Sequence, residues 1–270
     1  MTIFVTIMHI SMKKTLILLA ACALFTLSAS AQSPYEAKTF TSSEGQSLNY
    51  RELVPDEIAK GKKYPLVIFM HGAGERGSDN QKQLTHGSQM FLNPINREKY
   101  PAYVIFPQCP EKLYWAFRKR PESFLNLKAE EEMPPISVAI KELIDTYLDN
   151  PSVDKRRVYI MGLSMGGMAT YDLASRFPEI FAAAIPICGV ADIQRITDAK
   201  DVSWRIYHGD ADDIVPVECS RQAYMALKNA KAEVEYFEFP GCKHGSWNPA
   251  FNQSDFMDWL FSQKKTKRKK

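Results

Sequence analysis

Four stretches of the chain are apolar at nearly every position instead of every second one: YPLVIFMHG (64–72), AYVIFPQC (102–109), RVYIMGLS (157–164) and AAAIPICG (182–189). A strand with one wet face alternates, whereas a strand covered on both faces need not. These runs therefore predict parallel strands inside a sheet. Three further strand-like runs accompany them, SLNYREL (47–53), SWRIYHG (203–209) and VEYFEFPG (234–241). Helical patterns cover 136–150, 167–178, 216–230 and 254–263. In the first, Val138, Ile140, Leu143, Ile144 and Tyr147 approximate one stripe, which Asn150-Pro151 ends. Strands alternating with helices predict an α/β protein, a mostly parallel, doubly wound sheet flanked by helices. In such sheets the chemistry gathers at the carboxyl ends of the strands.

The chain has 270 residues, 45% of them hydrophobic, enough for one large core or two small domains. No repeat, linker or charge block interrupts it from Pro34 to the C-terminal KKTKRKK, so one domain is expected over 32–263, with 264–270 a basic, disordered tail. The net charge of +3 resides at the ends, in that tail and in Lys13 and Lys14. The body is net negative, which argues against a nucleic-acid surface. From Met12, MKKTLILLAACALFTLSASAQ has a basic start, an apolar run and a small-residue end at Ala29-Ser30-Ala31. It predicts a signal peptide over 1–31, cleavage before Gln32 and export to the periplasm or beyond. Anchoring through a lipobox-like LAAC at Cys22 ranks second, because apolar sequence continues past it. The run is short for a stable membrane span.

Export would leave Cys109, Cys188, Cys219 and Cys242 in an oxidising compartment. Sequence chooses neither among their possible pairings nor between those and isolated thiols. No CxxC or His/Cys spacing suggests a metal, and no cofactor is expected.

GLSMGG (162–167) surrounds Ser164 with glycine where an apolar run ends and a helical pattern begins. That is the setting of a nucleophile elbow, a strained turn that lifts a serine hydroxyl clear of the sheet. Residues two before and two after the serine crowd one another in such a turn, so Gly162 and Gly166 lack side chains, and Gly167 lets the helix start near the strand. The nucleophile, acid, histidine order of such folds makes His244 the base, since it alone follows the acidic loop HGDADDIVP (208–216). His71 and His86 precede the serine, and His208 ends a strand. The acid comes from Asp210, Asp212 or Asp213. Asp212 is preferred because it falls on the loop beyond the strand end, where it can fix the imidazole tautomer. Asp192 is a weaker alternative. The loop HGAGERG (71–77) lacks P-loop and GxGxxG spacing. It can instead aim the backbone N–H of Ala73, together with that of Met165, at a developing oxyanion.

These residues, with HGAGERGSDN, PQCPEKLYW, GLSMGGMATYDLA, HGDADDIVPVECS and GCKHGSWNPAF, make the chain resemble the α/β-hydrolases over about 35–263. It is similar to the phospholipase/carboxylesterase and feruloyl-esterase-like groups, and to single-domain relatives of prolyl oligopeptidases. The resemblance implies Ser164, Asp212 and His244 as a triad and places Glu75 and Trp115 at the substrate pocket. The expected function is a secreted serine esterase, acting through an acyl-enzyme on acyl groups of oligosaccharides or on small esters. A peptidase of short peptides and an inactive, hydrolase-fold binding protein are the alternatives.

Overall fold

The structure, a computed structural model, describes residues 33–265. The expected signal peptide and the Cys22 anchor lie outside those residues, as do positions 266–270 of the expected tail. Eight strands form one sheet: β1 (Glu36–Thr41), β2 (Ser47–Leu53), β3 (Tyr64–Met70), β4 (Tyr103–Gln108), β5 (Val153–Leu163), β6 (Ala183–Ile187), β7 (Ser203–Gly209) and β8 (Val234–Phe239). Their order is β1-β2-β4-β3-β5-β6-β7-β8. The β1–β2 and β2–β4 pairs are antiparallel and every other pair is parallel.

Seven helices accompany the strands among the described residues: α1 (Ser88–Leu92), α2 (Pro94–Lys99), α3 (Pro135–Leu148), α4 (Met165–Arg176), α5 (Glu218–Asn229), α6 (Trp247–Phe251) and α7 (Phe256–Ser262). None is long and apolar enough to cross a membrane.

The continuous apolar runs divide between the two faces. Leu66, Ile68 and Met70 of β3 and Val158 and Ile160 of β5 share one core with Ile140, Leu143 and Ile144 of α3 and Ala169 and Leu173 of α4. Val67, Phe69, Tyr159, Met161 and Leu163 share the other with Phe256 and Leu260 of α7. Successive residues thus point into opposite helical layers, which is why the buried stretches 65–70 and 158–163 of these strands need no polar position. This is the doubly wound α/β-hydrolase architecture expected from the sequence.

Four elements were absent from the sequence pattern. Strand β1 is an edge strand in which only Lys38 and Phe40 are half-buried, so it carries no apolar rhythm. Helices α1, α2 and α6 run for five, six and five residues, too short to repeat a 3.6-residue stripe. The start of the expected tail is held to the body: the Lys265 N–H donates to the Arg156 carbonyl at 2.9 Å, and its Nζ to Pro178 and Phe181 carbonyls.

Candidate active site

Ser164 sits between β5 and α4 with φ 54° and ψ −117°, left-handed backbone that a side-chain-bearing residue enters only under strain. A Cβ on Gly162 would lie 2.5 Å from the carbonyl oxygens of Gly166 and Met70, and one on Gly166 would run into the Met70 carbonyl. The glycines are a packing requirement: strand β3 and the start of α4 touch through their backbones here.

The turn brings Ser164 Oγ within 2.9 Å of His244 Nε2. The other ring nitrogen, Nδ1, lies 2.8 Å from Asp212 Oδ2 and 3.0 Å from Oδ1. Three loops at the carboxyl edge of the sheet, after β5, β7 and β8, therefore converge on one line of hydrogen bonds. Asp212 also accepts from the N–H groups of Ile214 and Val215, each at 2.9 Å, and its side chain is sealed from solvent. Burial alone would push its carboxyl up. The donors of His208, His244, Val215 and Ile214 outweigh that and hold it well below the usual carboxylate range. The neighbouring acids do other work. Asp210 accepts from the Gly241 N–H at 2.6 Å, tying the two loops together, and Asp213 faces Lys243 at 3.4 Å on the surface. Asp192 accepts from Ala129, Gln194 and Arg195 N–H groups, away from the serine.

The Ser164 hydroxyl opens into a cavity of about 510 Å³. Ala73 and Met165 line it, and neither backbone N–H donates to a protein acceptor among the described residues. Those donors are open to a ligand. Glu75 lines the cavity and faces His86 Nε2 at 3.6 Å. Trp247 lies edge-on to His244 and tilted to His86, with centroids 5.7 and 5.1 Å apart.

Trp115 is not in the cavity lining, which corrects the expectation drawn from resemblance. It is a core residue, 1% exposed, because its large ring is covered by the sheet's helical layer. Its indole N–H donates to the His71 carbonyl at 3.1 Å and its own carbonyl accepts from Ser137 Oγ. It thus supports the Ala73 loop from beneath. His71 does the same from the side. Its Nδ1–H donates to the Gly72 carbonyl at 2.6 Å and its Nε2 accepts from the Cys109 N–H at 2.9 Å. Burial lowers its pKa to about 4, so the ring stays neutral.

One participant was passed over in the sequence. His208, fully buried, places Nε2 3.2 Å from Asp212 Oδ2 and 3.0 Å from the Val215 carbonyl. Both partners are acceptors, so Nε2 carries the hydrogen; Nδ1 meets Ser220 Oγ at 2.7 Å. The sequence signal was present, since His208 and Asp212 are four residues apart across one turn.

Cys109, Cys188 and Cys219 are buried and Cys242 half-buried, and all four are free thiols. Cys188, Asp212 and His244 bring possible metal-ligand atoms within 4.8 Å of one another. Asp212 and His244 already hydrogen-bond each other, and His244 also meets Ser164, so these donors are committed.

A family model described as phospholipase/carboxylesterase matches residues 57–257. Poly(3-hydroxyalkanoate) depolymerase C of Paucimonas lemoignei is 26% identical over 183 residues, 66% of this chain and 40% of that protein. Feruloyl esterase B of Thermothelomyces thermophilus is 27% identical over 138 residues, 51% of this chain and 43% of its own. The chain therefore spans less than half the length of these two relatives. The crystal structure of a thermostable esterase superposes with a TM-score of 0.78 at 37% identity, covering 86% of this chain and 64% of that one. With most of its length matched by the family model and its sheet laid out as above, the chain belongs to the phospholipase/carboxylesterase family of α/β-hydrolases.

Proposed function

We propose that the protein is an exported serine carboxylesterase that cleaves acyl groups from oligosaccharides or related small esters. One observation carries the reading: Ser164 Oγ, His244 and Asp212 form an unbroken hydrogen-bonded line that ends in an open cavity. In the proposed reaction Ser164 Oγ attacks the ester carbonyl carbon while its proton passes to His244 Nε2. Asp212 stabilises the imidazolium through Nδ1–H. The oxyanion meets the N–H groups of Ala73 and Met165, where each donor is worth about 3 kcal/mol in the transition state. The carbon–oxygen bond to the alcohol then breaks, and the alcohol leaves with the proton from Nε2. Water repeats the sequence on the acyl-enzyme, releasing the acid and restoring Ser164.

The names of the depolymerase and feruloyl esterase relatives favour ester substrates, and the signal-like N-terminus favours export. A panel of para-nitrophenyl acyl esters, feruloylated oligosaccharides and peptide anilides tests the reading, with Ser164→Ala as control. Ester turnover that vanishes in Ser164→Ala, with fluorophosphonate labelling confined to Ser164, is expected. Faster cleavage of the anilides, or esterase activity that survives in Ser164→Ala, overturns it.

A further inference from the structure

The cavity at Ser164 holds two guanidinium groups without an acidic partner. Arg76 and Arg120 both line it. Eight of the eleven arginines among the described residues have a carboxylate within 4.0 Å, and Arg51, Arg76 and Arg120 do not. Two of those three exceptions therefore share the space in front of the nucleophile.

Arg76 is fixed in place. Its Nε donates to the Ala73 carbonyl at 2.9 Å and its Nη1 to the Leu113 carbonyl at 3.4 Å, with the guanidinium 4.7 Å from the centre of the Tyr114 ring. These contacts satisfy some N–H groups and leave the charge uncompensated in a half-buried setting. Withdrawing a cation from water without a counter-charge is unfavourable unless a ligand supplies one. Arg120 stands exposed at the same cavity, on the segment between β4 and α3. The opposing charge is Glu75, already faced by His86. Among the side chains that line the recess, two guanidinium charges against one carboxylate leave a surplus of one positive charge, and low-dielectric walls concentrate the field.

The geometry points to an ester substrate that itself carries one carboxylate, on its acyl or its alcohol half, held by Arg120 and Arg76 while Ser164 attacks the ester carbonyl. This rests on the serine-esterase reading and names its substrate class: half-esters of dicarboxylic acids, or esters of hydroxy acids with a free acid end. A planar carboxylate suits a guanidinium fork, and its single charge equals the surplus.

Two matched pairs of substrates test this: para-nitrophenyl hemiglutarate against its terminal amide, and the acetate ester of beta-hydroxybutyrate against its primary amide. Within each pair the members differ in charge, and each rate is taken after subtracting that ester's own spontaneous hydrolysis, which a neighbouring carboxylate accelerates. The expected result is a kcat/KM at least about tenfold higher for the carboxylate member of one pair, the scale of a charge-assisted hydrogen bond. The ratio should shrink as salt is added, fall towards one in Arg120→Gln and persist in Arg120→Lys. Calorimetric titration of the Ser164→Ala protein with the same pairs reads the preference without turnover. Equal values within both pairs overturn the proposal, as does a preference that survives in the Arg120→Gln, Arg76→Gln double variant. Turnover of the neutral amides without any charge preference sinks this inference alone, whereas no turnover of any ester sinks the esterase reading.

Discussion

The Nε2 of His208 lies 3.2 Å from Oδ2 of Asp212, and neither side chain is exposed to solvent. Asp212 is therefore a carboxylate held between two imidazoles, one facing the serine and one facing the core. A carboxylate fixed from both sides cannot rotate away from His244 without breaking buried hydrogen bonds, which are expensive to leave unmade.

Replacing Asp212 by asparagine should lower turnover by about 10⁴, because an amide favours the wrong imidazole tautomer. The same change at Asp210 or Asp213 should cost far less, since one accepts from a backbone N–H and the other faces a lysine on the surface. Steady-state rates of the three variants on one ester distinguish them, and an inactive Asp210→Asn or Asp213→Asn would move the acid.

His208→Phe should reduce kcat about tenfold, the scale of one lost hydrogen bond to a charged group, while leaving the other donors to Asp212 in place. His208→Gln, which can still donate, should recover most of that loss. Equal rates in the two variants would show that only volume matters at this position.

Stability should fall as pH drops from about 6.5 towards 4. The unfolded imidazole of His71 takes up a proton near ~6.5, whereas burial lowers its pKa in the fold to about 4. Between those values the unfolded chain binds more protons, so acid favours unfolding, by roughly 3 kcal/mol over the full window. The depressed Asp212 contributes its own loss only at lower pH, below the ordinary carboxylate value. Urea midpoints near pH 7 and about pH 4.5 should diverge in the parent and converge in His71→Gln.

Gly166→Ala should destabilise the fold by at least about 3 kcal/mol, since its methyl group would collide with the Met70 carbonyl, a backbone atom that cannot rotate aside. Gly245→Ala is the control, for there a Cβ meets only Asn248 Nδ2 at 3.7 Å. Similar melting temperatures for the two variants would contradict this account.

The sheet was legible because its inner strands are buried on both faces, and uninterrupted runs such as 157–164 say so without any partner in view. The serine turn was legible for a related reason: close backbone contact leaves glycine at fixed offsets. Edge strand β1 was not, since one half-buried phenylalanine gives no rhythm. The supporting residues around the site were harder still. His208 reads as the end of a strand, and only the return of the loop at Val215 shows that its ring meets Asp212. Trp115 illustrates the reverse case, a residue that resemblance placed in the pocket and packing placed below it. Arg76 and Arg120 stood out only once their neighbours were known, because an absent counter-charge is a property of three-dimensional surroundings.

Ser164 hangs from β5, in the middle of the sheet, while His244 follows β8 at its outer edge, 80 residues later. The two ends of the hydrogen-bonded line therefore differ in how firmly they are held. Strand β8 has one neighbour, β7, and is at most half-buried along its length, so it belongs to the part of the molecule that opens first when warmed. Its fraying would carry His244 away and leave Ser164 in its turn. On gentle heating, ester hydrolysis should fade reversibly before the bulk of the sheet melts. On refolding it should return last, after the central strands have regained their far-ultraviolet signal.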